Sequence, residues 1–171
     1  MRPAPDRTGK EEQMEGFTLS LALVDAIPVL FFGASMIMIG TRFGHPLFIV
    51  GAALSFLAGC CKVAWKFILA ASKKDVKWLN KCFVPLQGLG FLLMIVSFVI
   101  GFKRINWSSV LSAVVSVPAL ILFILWIVLM GAMVWYRKNK FKNDDAKSNW
   151  TAQIINCLAQ AALFFGILLA R

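Results

Sequence analysis

Three charged side chains, Asp25, Lys62 and Lys66, lie inside long apolar stretches of this sequence. An ionisable residue in a membrane helix costs about 2.5–3.5 kcal/mol on insertion scales, so it normally faces the protein interior and finds a partner. One carboxylate and one lysine at equal depth would form an ion pair. In a low-dielectric interior such a pair either neutralises itself or, if water reaches it, holds a small zwitterionic or polar solute. A proton-coupled role for Asp25 belongs to the same chemistry. Uncharged groups at similar depth extend the set to Gln87, Asn156 and Gln160. Asp25, Lys62, Gln87, Asn156 and Gln160 are the ligand-binding candidates.

Catalytic chemistry finds little support. Among the residues inside the apolar stretches there is no Cys/His pair and no pair of carboxylates. His45 is the only histidine, so a histidine-based metal cluster cannot be assembled. Cys60, Cys61, Cys82 and Cys157 form no C-x-x-C motif, and vicinal cysteines such as Cys60 and Cys61 rarely bridge. They read as small buried hydrophobes. The expectation is a protein that is not an enzyme, with no catalytic residues, no metal and no cofactor.

The elements that carry these residues follow from composition. Of the 171 residues 60% are hydrophobic and 15% charged, against about 25% charged in a soluble domain. The mean hydropathy is +0.78. The apolar residues come in five blocks, 17–40, 46–71, 83–102, 108–136 and 150–170, each long enough for a ~30 Å hydrocarbon layer. The fold class is therefore an all-α integral membrane protein, a bundle of five transmembrane helices. Residues 1–16 form a polar tail and residues 17–171 the membrane domain. The first block is too long for the apolar core of a signal peptide. Pro118 should kink or tilt the fourth helix, and the short links should make successive helices antiparallel neighbours.

Lysine and arginine set the orientation. The tail and the second and fourth links hold twelve of them (Arg2, Arg7, Lys10, Lys73, Lys74, Lys77, Lys81, Arg137, Lys138, Lys140, Lys142 and Lys147), whereas the other side holds Arg42, Lys103, Arg104 and Arg171. The positive-inside rule then puts the N-terminus in the cytoplasm and the C-terminus outside, with Trp78, Trp135, Tyr136 and Trp150 at the cytoplasmic interface and Trp107 at the outer one. The same rule accounts for the net charge of +10 without nucleic acid, because the basic residues sit in links between apolar blocks. The partners implied are the lipid bilayer, with anionic headgroups at the cytoplasmic loops, and a membrane-protein partner. The membrane expected is the cell membrane.

A hairpin of the first two helices turning near Phe43 and Gly44 brings Asp25 level with Lys62, leaving Lys66 one turn nearer the cytoplasm to snorkel. Asp25, Val29, Gly33, Met36 and Gly40 share one face of the first helix. Gly51, Ser55, Gly59, Lys62 and Lys66 share one face of the second, and small residues there permit close approach. Pro28 cannot donate to the Val24 carbonyl, which needs another partner: water, Lys62, a ligand or a neighbouring serine. In the fifth helix Gln153, Asn156, Cys157 and Gln160 form one stripe. The arrangement predicts a polar cavity open to the cytoplasm, with the outer half sealed by apolar packing. The function expected is a small transporter or transport subunit for a polar solute. The alternative is a structural or assembly subunit of a larger membrane complex.

Overall fold

The computed structural model describes residues 18–140 and 146–170. Residues 1–17, 141–145 and 171 lie outside it, and with them the polar tail, part of the fourth link and Arg171. Five of its helical stretches are long and apolar enough to cross a membrane. The chain is therefore all-helical with five candidate spans, and the described residues contain no strand.

Helix α1 runs Leu19–Phe43 and begins where the Thr18 side chain accepts the Leu21 N–H at 3.2 Å. It ends at Gly44, whose φ of 65° is left-handed and whose N–H returns to the Gly40 carbonyl, a conformation glycine adopts without Cβ strain. Pro46 then opens α2, Pro46–Ser72, using the first-turn position where a missing N–H goes unnoticed. Lys73 closes α2 with φ 54°. A short α3, Lys77–Lys81, leads through Cys82 into α4, Phe83–Gly101.

The fourth apolar block is two helices rather than one kinked helix. α5, Trp107–Val115, stops at Ser116, whose backbone is extended (ψ 131°), and α6, Val117–Asn139, restarts with Pro118 in its first turn. Within one continuous helix Pro118 would have no N–H to give the Val114 carbonyl and its ring would clash with it, so the chain breaks where a bend was expected. The 23 residues of α6 cover roughly 34 Å and cross the hydrocarbon layer unaided. α7 is Ala146–Leu169.

The spans pack in the order α4, α2, α1, α7, α6. The short links do make α1/α2, α2/α4 and α6/α7 neighbours. They fail for α4 and α6, which form no packing seam. The bundle is joined instead by α1 against α7. Cys157 reaches the Val24 carbonyl at 3.4 Å, and Arg42 donates to the carbonyls of Ile167 (3.4 Å) and Ala170 (3.0 Å), so these two helices run parallel. Relative topology follows: the starts of α1 and α7 share one end with Lys73, Lys77, Arg137 and Lys140, here called the basic end. The Gly44–His45 turn, Arg104 and Ala170 lie at the opposite end.

Two kinds of seam hold the bundle. Between α2 and α4 the backbones nearly touch: a Cβ on Gly51 would stand 2.6 Å from the Gly90 carbonyl oxygen. Between α1 and α2 side chains fill the space, with Phe56 against Gly33 and Val29 against Gly59. Near the Gly44 turn Phe48, Ala52 and Met94 form an apolar core under Met36, Ile39 and Phe43.

Candidate functional site

Asp25 pairs with Lys66, not with Lys62. The Lys66 Nζ lies 2.8 Å from the Asp25 carboxylate, and the two residues are 7% and 8% exposed. Depth and facing were the two geometric criteria, and facing decides the partner. The turn between α1 and α2 is centred on Gly44–His45, one residue later than a turn at Phe43–Gly44. Counting equally along both helices from Phe43 and Pro46, Asp25 comes level with Ala64, midway between the two lysines, so depth does not separate them. Facing does. Lys62 and Lys66 differ by roughly 40° around the axis. Gly59 and Lys66 turn toward α1, whereas Gly51, Ser55 and Lys62 turn toward α4. The five-residue stripe read from the sequence is thus shared between two seams, because α2 is packed on both sides.

Lys62 accordingly lies over the Phe83 ring of α4, 4.3 Å from its centroid. Among the described residues no carboxylate stands within 4 Å of it. Its electrostatic neighbours are Lys66, Arg137 and Asp25. Arg137 lies in the last turn of α6, at the basic end.

On α1 the face read from the sequence is the contacting one: Asp25, Val29, Gly33 and Gly40 all meet α2. The carbonyl that Pro28 leaves free is met from α7, where the Cys157 thiol donates to Val24 O. The partner the protein supplies is therefore a cysteine, not Lys62 or a serine. Cys157 also lies within electrostatic range of Asp25. One turn to either side on the same face are Gln153 and Gln160. Both keep a buried side-chain oxygen without a donor, and Gln153 is only 7% exposed. Asn156, half-buried, completes the stripe.

Gln87 is set apart. It shares the α4 face of Phe83, Gly90, Met94 and Ser97, which turns to α2, so α2 stands between it and the α1–α7 seam. Of the five candidates, then, Asp25 and Gln160 belong to the α1–α7 side, Asn156 lies about 100° around α7 from Cys157, and Lys62 and Gln87 belong to the α2–α4 side. Sequence reasoning assigned Lys66 to snorkelling and Cys157 to apolar filling, and left Gln153 outside the site. The usable signals were the spacing of Lys66 seven residues from Gly59, and the position of Val24 four residues before a proline.

A groove of about 500 Å³ opens in the opposite half, between α1 and α2. Gly33, Gly40, Ala52, Ala53, Ile37 and Phe56 are among its lining residues, and none of the five candidate side chains borders it. The apolar packing expected in that half is present as the Phe48–Met94 core, but it is indented from the side.

No family model, no curated protein and no solved structure matches this chain.

Proposed function

We propose that the protein binds a small polar or zwitterionic solute at the basic-end half of the α1–α7 seam, as a transporter or transport subunit, with that end in the cytoplasm. The observation that carries this reading is the pair of buried acceptor oxygens on Gln153 and Gln160, which lack donors and stand one turn to either side of Cys157, whose thiol meets the carbonyl of Val24 next to Asp25. A buried acceptor without a donor costs roughly 1–3 kcal/mol, and in hydrocarbon there is no water to relieve it. A solute ammonium or amide N–H supplies the donor. The test is thermal stabilisation of the purified protein in nanodiscs by a panel of free amino acids. At least one should raise the melting temperature, and the rise should vanish in Gln160→Leu with the fold retained. No shift across the panel, with Gln160→Leu simply more stable, overturns the reading.

The assembly reading has its own support in the groove between α1 and α2. Small residues on both walls allow a partner helix to approach closely there, as at other membrane interfaces. It takes the lead if the panel is silent.

A further inference from the structure

The α2–α4 seam fixes which residues face each other near the basic end. Gly51 lies against Gly90, Ser55 against Gly90, and Lys62 over Phe83. Cys61 and Cys82 directly precede Lys62 and Phe83 on the two helices, about 100° around each axis from that contact. Their side chains lie within interaction range of each other. Both thiols are free and both residues are partly exposed. The Cys82 thiol donates to the Leu79 carbonyl at 3.2 Å, and Cys82 is the junction between α3 and α4. A junction residue outside the rigid core of either helix can shift to let two sulfurs close to bonding distance.

We infer that Cys61 and Cys82 form a reversible disulfide that fastens α2 to the start of α4 when the basic end meets a peroxide. One thiolate attacks a peroxide oxygen, breaking the O–O bond and leaving a sulfenic acid and hydroxide. The second thiol then attacks that sulfur, forms the S–S bond and expels the hydroxyl, which leaves as water with the proton. Two thiols and hydrogen peroxide give one disulfide and two waters: the sulfurs together lose two electrons and the peroxide oxygens gain them. A cellular monothiol reverses the step by exchange. With the basic end in the cytoplasm the resting state is the dithiol, so the bond is a response rather than a permanent brace. The other pairings are poorer. Cys60 and Cys61 are vicinal, and Cys157 is committed to Val24 on the far seam. The bond would stand one residue from the Lys62–Phe83 contact and hold that contact shut.

The inference concerns the α2–α4 seam and stands independently of solute binding at α1–α7. Its test treats the full-length protein in nanodiscs with hydrogen peroxide, then alkylates and maps the peptides. Expected is protection of two of the four thiols, a cross-linked pair of peptides containing Cys61 and Cys82, and full recovery with dithiothreitol. The Cys60→Ser/Cys157→Ser double variant should still cross-link, and Cys82→Ser should not while keeping its helical signal. A cross-link through Cys60, an intermolecular one alone, or stable sulfinic acid at Cys82 without any cross-link overturns it.

Discussion

Replacing Lys66 by methionine should destabilise the protein far more than the same change at Lys62. At 2.8 Å and an effective dielectric of about 20, the gross attraction between Asp25 and Lys66 is about 6 kcal/mol. Desolvating both groups offsets most of that, so the pair itself contributes little net stability. Removing one partner is different, because it strands a carboxylate that is 7% exposed in a membrane-spanning helix. The cost for a broken buried pair is about 3–5 kcal/mol. Protonation of Asp25 can relieve part of it, so about 3 kcal/mol is the figure expected for Lys66→Met near neutral pH. Lys62→Met loses its contact with Phe83, about 0.5–1 kcal/mol, and sheds repulsion from Lys66 and Arg137.

The assay is a double-mutant cycle by reversible denaturant unfolding in bicelles, with Asp25→Asn as the common partner. Coupling between positions 25 and 66 should be about 2–3 kcal/mol, with the double variant more stable than Lys66→Met alone. Coupling between 25 and 62 should fall below about 0.5 kcal/mol. A larger coupling at 62 than at 66 refutes the facing argument, since nothing else separates two lysines of similar depth.

Two further outcomes are expected. Gly90→Ala should cost about 1–3 kcal/mol of overpacking in the same unfolding assay, because a Cβ there would meet the Gly51 carbonyl oxygen at 2.6 Å, the Ser55 nitrogen at 2.9 Å and the Ser55 hydroxyl. Gly88→Ala, with nothing within 4 Å, should be neutral by comparison. Single cysteines at Lys140 and His45 on a cysteine-free background should label from opposite sides of the membrane. Position 45 should react in intact cells and position 140 only after permeabilisation, and the reverse pattern overturns the orientation.

Element existence was legible because each span is a long apolar run, and hydrocarbon leaves the backbone few alternatives to a helix. The face of α1 was legible too, since its small residues and Asp25 recur at helical spacing and meet α2, while other positions such as Val24 and Phe31 serve α7. The face of α2 was not. A helix packed on two sides presents two adjacent stripes, and Gly51, Ser55, Gly59, Lys62 and Lys66 read as one continuous stripe until the neighbours are known. The α1–α7 seam was hidden for a different reason: nothing local in a chain reports a contact between its first and last spans, such as Cys157 on Val24.

The two seams also differ in what they allow. Where Gly51 and Gly90 bring backbones together, α2 and α4 have no side chain to rearrange and move only as a unit. Around α1 the situation is the opposite. Pro28 removes one hydrogen bond from its middle and a thiol, a weak donor, substitutes for it. Its other end borders the groove of about 500 Å³. The proposed solute site therefore lies on a helix with one backbone hydrogen bond replaced by a thiol, held at the basic end by Asp25–Lys66 and at the opposite end by Arg42 on the Ile167 and Ala170 carbonyls. A ligand that engaged Asp25 would compete with Lys66 for the ion pair that, with the Val29–Gly59 contact, ties α1 to α2 near the basic end. On the proposed reading, binding at Asp25 would loosen α1, and the same ion pair would link occupancy to movement.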